Sequence, residues 1–74
     1  MSLRETFALN LKRIRQARRL SQEDLAGLAG IDRTYVSLLE RCEYSATLDM
    51  IEKIARALGA APATLLEDPS LDPL

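Results

Sequence analysis

Histidine and tryptophan are absent from this chain, cysteine occurs once, at Cys42, and only Phe7, Tyr35 and Tyr44 are aromatic. Without histidine the chain has no His-based general base and none of the usual zinc-ligand sets, and a lone cysteine makes no intramolecular disulfide. Paired carboxylates exist, as in Glu23 with Asp24, but they fall in the first turn of a predicted helix, where the helix dipole favours them in any case. The features from which an active site is read are missing, so no enzymatic activity, cofactor or metal is expected. Three scattered aromatic residues form no stacking platform for single-stranded RNA. No apolar run approaches the ~18 residues of a membrane span, and no basic-plus-apolar leader precedes the first predicted helix. The expectation is a soluble, cytoplasmic protein with no membrane partner.

What is present fits one small domain. The chain has 74 residues, 47% of them hydrophobic, and no low-complexity run. At this size folding buries only roughly 60% of the surface of the unfolded chain, so association would help a marginally stable monomer. The net charge of −1 and pI near 5.3 run against the basic balance usual for a nucleic-acid binder. The distribution matters more than the sum. Residues 1–42 carry eight basic side chains against five acidic ones, and residues 43–74 carry two basic against six acidic. Such asymmetry orients a molecule in the field of a polyanion and keeps its far side away.

The organising stretch is Ser21 to Glu40, SQEDLAGLAGIDRTYVSLLE. Gln22, Ala26, Gly30, Val36 and Leu39 stand at relative positions one, five, nine, fifteen and eighteen, each the residue type that two helices joined by a tight turn require there. Ala26 is small where the second helix crosses. Gly30 accepts a left-handed conformation at the turn. Ser21 and Asp24 make an imperfect capping box, and Asp32 is a good N-cap for the second helix of the pair. On that helix Val36, Leu39 and Glu40 point inward, whereas Arg33, Thr34, Ser37, Leu38 and Arg41 share the opposite face. Two cations, two hydroxyls and a leucine together are groups able to read base edges on the second helix of such a motif. Glu40 is expected to be at least partly buried and to need a partner; Arg15 is the choice, with Arg18 a rival on spacing alone.

The remaining elements follow from periodicity and caps. Leu3 to Arg18 is a predicted helix with Leu3, Phe7, Leu11 and Ile14 on its core face. The motif helices run from Gln22 to Ala29 and from Arg33 to Arg41. Thr47 caps a helix over Leu48–Leu58 with Leu48, Ile51, Ile54, Ala55 and Leu58 inward, and Gly59 ends it. Pro62 opens a short fifth helix reaching Glu67. The fold class expected is all-α, a single five-helix helix-turn-helix domain of residues 1–74, with its core over about 3–68 and residues 69–74 as a loose tail.

Over Leu11 to Asp68 this organisation resembles the Cro/C1 or XRE family of phage and bacterial repressors, with the lambda-repressor-like fold. Three runs carry the resemblance: LKRIR, LSQEDLAGLAGIDRTYVSLLER, and IARALG with Pro62 after it. DRTYVS followed by ER looks most like the small controller proteins of restriction-modification systems, which bind paired operators as homodimers. The resemblance implies that Gln22 meets a backbone phosphate, that Arg33, Thr34, Ser37 and Leu38 face base edges, and that Tyr35 and Arg41 lie on the backbone or groove wall of double-stranded DNA. It implies a buried ion pair of Arg15 with Glu40 and a homodimer surface including Ala60, Ala61, Leu65 and Leu66. RNA polymerase or a toxin would be a further partner, and the rival function is an antitoxin or other protein-interaction module using the same fold as scaffold. Two positions depart from the family, Arg19 and Cys42 standing where glycine is usual. There a residue either accepts a left-handed backbone at ~1 kcal/mol or changes the exit path.

Overall fold

The computed structural model describes residues 1–69 as five helices, α1 (Leu3–Ala17), α2 (Gln22–Ala29), α3 (Arg33–Glu40), α4 (Leu48–Leu58) and α5 (Pro62–Leu65), with no strand among the described residues. The tail expected over 69–74 lies, from residue 70 onward, outside them. Helix α1 packs on α3 and α5, α2 on α3 and α4, and α4 on α5. Phe7, Leu11, Leu25, Val36, Leu39, Ile54, Leu58 and Leu65 meet in one core.

Each start has a local cause. Ser2 with Glu5 and Ser21 with Asp24 form complete capping boxes, in which the serine hydroxyl accepts from the third helical N–H and the carboxylate accepts from the serine N–H. Asp32 accepts from the Thr34 N–H, and the Thr47 hydroxyl accepts from the Met50 N–H.

The ends of α1 to α4 share one device, a six-residue backbone closure around a left-handed residue. Leu20 N–H donates to Arg15, Ile31 to Ala26, Glu43 to Leu38 and Ala60 to Ala55. Gly30 and Gly59 supply the left-handed residue in two of them, at φ of 70° and 68°. Arg19 and Cys42 supply it in the others, at 57° and 61°. The two departures from glycine therefore keep the exit path and accept the strained backbone.

Two inward assignments and one dimer-surface assignment are corrected. Leu3 is 62% exposed and Leu48 81% exposed, because each opens its helix beyond the reach of the neighbouring one. Leu65 is fully buried in the core of its own chain, so its side chain is not available to a dimer surface, while Leu66 beside it is only half-buried. Helix α5 is also shorter than expected, ending at Leu65 instead of reaching Glu67. No described helix is long and apolar enough to cross a membrane.

Candidate nucleic-acid interface

The site is built on the crossing of α2 and α3. Ala26 is buried at that crossing, and Leu25, Val36 and Leu39 seal it from below. A small side chain at the crossing and a fixed turn at Gly30 leave the second helix one orientation, with its polar face outward.

Beneath that face lies an ion pair that ties α1 to α3. Arg15 Nε donates to Glu40 Oε2 at 2.6 Å and its second terminal nitrogen to Oε1 at 2.9 Å, a bidentate fork, while its remaining nitrogen donates to the Leu20 carbonyl at 2.7 Å. The Glu40 side chain is only 3% exposed. Hydrogen bonding to that carboxylate holds the Arg15 guanidinium above its already high usual range. Arg18, the rival partner, is exposed. Glu40 also accepts from the Gln22 side-chain amide at 3.1 Å, so α1, α2 and α3 converge on one carboxylate.

On the outer face Arg33 and Thr34 are exposed, and Ser37 and Leu38 are half-buried along the same side. Their spacing over α3 puts a guanidinium, two hydroxyls and an apolar side chain on one strip about one and a half helical turns long. Arg33 Nη1 stands 4.0 Å from Glu23 Oε1 in a loose, exposed pair, which restrains the guanidinium little.

The flanking side chains are less free than the sequence implied. Gln22 is half-buried, and one of its two amide N–H groups is engaged with Glu40. Arg41 stands just past α3 and pairs with Glu43 at 2.8 Å. Tyr35 meets Tyr44 edge to face, with ring centroids 5.8 Å apart, a contact that fastens α3 to the following loop. Sequence spacing did not reveal that pairing, because the loop path decides it.

Around α5, Ala61 is exposed and Ala60 and Leu66 are half-buried. Leu66 lines an apolar groove with Leu3, Phe7, Ala46, Leu48 and Ile51. Leu48, the most exposed leucine among the described residues, stands on its rim.

The chain as a whole is similar to known proteins. A hypothetical transcription factor of Neisseria meningitidis serogroup B is 46% identical over 67 residues, 90% of this chain but 63% of that protein, so the chain spans less than two thirds of that relative's length. The crystal structure of the hypothetical transcription factor NHTF from Neisseria superposes with a TM-score of 0.90 at 45% identity, covering 93% of this chain and 79% of that one. The restriction-modification controller protein C.AhdI from Aeromonas hydrophila superposes with a TM-score of 0.81 at 42% identity, covering 84% and 94%. The controller C.Esp1396I, seen as a tetramer on its natural 35-base-pair operator, superposes at 0.82 with 31% identity, covering 88% and 86%. The helix-turn-helix family model HTH_3 matches residues 11–65, and the chain belongs to that family.

Proposed function

We propose that the chain is a sequence-specific, double-stranded DNA-binding transcriptional regulator that acts as a homodimer on a two-fold symmetric operator, in the manner of a restriction-modification controller or phage-type repressor. The observation that carries this reading is the outer face of α3. Arg33, Thr34, Ser37 and Leu38 stand together on a helix whose crossing with α2 is fixed by Ala26 and by the shared carboxylate of Glu40. Such a helix fits the major groove. Arg33 there reaches the O6 and N7 acceptors of guanine in a bidentate pair, and Thr34 or Leu38 contacts a thymine methyl. Gln22, Tyr35 and Arg41 reach phosphates, with the N–H groups at the start of α2 adding a partial positive charge.

The dimer surface in this reading consists of Ala60, Ala61 and Leu66 with the exposed Leu48 and Leu3 beside them, and no longer includes Leu65. Burying the last two leucines and the groove they flank would supply what a domain of this size lacks in core. The operator-bound tetramer of C.Esp1396I and the likeness to C.AhdI support assembly on DNA through more than one copy.

In vitro selection from a random duplex pool, followed by a salt titration on the enriched sequence, tests the proposal. The expected result is two symmetric half-sites about one helical turn, roughly 34 Å, apart, with affinity falling steeply as salt rises. Weak binding alike on all sequences would replace DNA reading with a protein-interaction role.

A further inference from the structure

Asn10 is 2% exposed in the middle of α1, a buried amide that neither the outer face of α3 nor the ion pair uses. Its Nδ2 donates to the Leu65 carbonyl at 2.9 Å and to the Glu67 carbonyl at 2.8 Å, with a longer approach to the Thr64 carbonyl at 3.5 Å. Both N–H groups of one amide are thus spent on the C-terminal end of α5.

That end needs them. Helix α5 is four residues long and its start carries no side-chain cap. One turn closes too few internal hydrogen bonds to stand alone, and the last carbonyls of any helix lack partners within it. Two anchors therefore set where α5 lies: the Leu65 side chain, fully buried, and the Asn10 amide, which crosses from α1 to the turn after it. Leu66 sits between the two carbonyls that Asn10 grips, and the same residue lines the groove beside Leu48.

We infer that Asn10 is the positioning residue of the dimer surface. By clamping the end of α5 to α1 it fixes Leu66 relative to Leu48 and Leu3, and so controls self-association and, through it, operator affinity, while touching neither DNA nor the second copy. The inference rests on the homodimer reading above. An aspartate at this position has the same shape, but its carboxylate only accepts hydrogen bonds and would face carbonyl oxygens with no proton to offer. The clamp would become a repulsion, while Leu65 and the rest of the core stay apolar. Serine, with one hydroxyl donor, can satisfy at most one carbonyl.

The test compares the wild-type protein with Asn10→Asp and Asn10→Ser by sedimentation equilibrium, by binding to a duplex holding a single half-site, and by far-ultraviolet circular dichroism. The expected result is dimerisation weakened about tenfold or more by Asn10→Asp and less by Asn10→Ser, on the scale of one or two net hydrogen bonds, with helix content and half-site binding kept. The split between the two readouts separates positioning from general support of the fold. Folded variants that dimerise as the wild type does would overturn the inference. So would a parallel loss of half-site binding and dimerisation, or a serine variant that fails to fold. A wild-type protein that stays monomeric at every concentration would instead overturn the homodimer reading, and the inference with it.

Discussion

Gln22 and Glu40 are joined through the interior: the amide that opens α2 donates to the carboxylate that closes α3, at 3.1 Å, and Arg15 of α1 grips the same carboxylate from the other side. The outer face of α3 is thus referenced to two other helices through one buried charge. Its orientation does not depend on the turn at Gly30 alone.

That arrangement makes the charge costly to strand. Arg15→Leu leaves the Glu40 carboxylate buried without its fork, and the expected loss is about 3–5 kcal/mol of folding stability, a large share of what a domain this small has. Replacing both partners, Arg15→Leu with Glu40→Leu, is expected to recover most of that loss, because two apolar side chains need no desolvated partner. Urea denaturation of the three proteins decides it. A single variant as stable as the wild type would mean that water or Gln22 alone serves the carboxylate.

On DNA, Arg33→Ala is expected to relax base preference at one position of each half-site, at about 1–3 kcal/mol of discrimination, and to leave affinity for unrelated sequences nearly intact. Competition binding against single-base operator variants reads this directly. Equal loss on every sequence would make Arg33 a phosphate contact instead. The neighbouring Glu23, exposed 4.0 Å from Arg33, should act in the opposite sense: Glu23→Gln is expected to raise affinity on all sequences, since it removes a negative charge close to the polyanion.

Adjacent leucines at the end of α5 should behave as opposites. Leu65→Ala opens a cavity in the core and is expected to cost about 2–5 kcal/mol of stability. Leu66→Glu is expected to leave thermal unfolding of the monomer close to unchanged but to shift sedimentation equilibrium toward monomer. A Leu66→Glu protein that still dimerises normally would place the interface elsewhere.

That contrast shows where sequence reasoning stops. The motif itself was legible because its constraints all fall within the stretch Ser21 to Glu40: a left-handed backbone at Gly30 and caps at Ser21 and Asp32 depend on neighbours within one turn, and the small residue at Ala26 depends only on the helix that follows it. The Arg15–Glu40 pair was legible because an inward carboxylate demands a cation, and few were within reach. Leu65 and Leu66 could not be told apart, since a single-turn helix shows no periodicity. Leu3 and Leu48 followed the apolar stripe of their helices, but a stripe does not say where the opposing helix ends. Asn10 left no trace because its partners are backbone carbonyls 55 and 57 residues away, which every sequence contains.

Arg19 offers a test of stored strain. Its backbone lies at φ 57°, a conformation that costs a side-chain-bearing residue ~1–2 kcal/mol and glycine almost nothing. Part of the gain from Arg19→Gly is offset by the greater freedom of glycine in the unfolded chain. The expected outcome is a protein more stable by up to about 1 kcal/mol, seen as a higher urea midpoint at unchanged slope. A less stable variant would show that the Arg19 side chain contributes more than its backbone costs.

The capping boxes predict how the fold meets acid. Asp24 accepts from the Ser21 N–H and hydroxyl, and those hydrogen bonds hold its carboxyl below the usual aspartate range; Ser2 does the same to Glu5. A carboxyl whose pKa is lower in the folded chain adds stability that is fully present above the unfolded value, near ~3.9 for aspartate, and is lost as pH falls through the folded one. The urea midpoint should therefore hold steady from neutral pH down to mild acid and then decline. Asp24→Asn keeps a hydrogen-bond acceptor but no titrating group, so its decline should be shallower than that of the wild type over the same acid window. Identical acid slopes for the two proteins would mean that the capping carboxylate of α2 contributes nothing that depends on its charge.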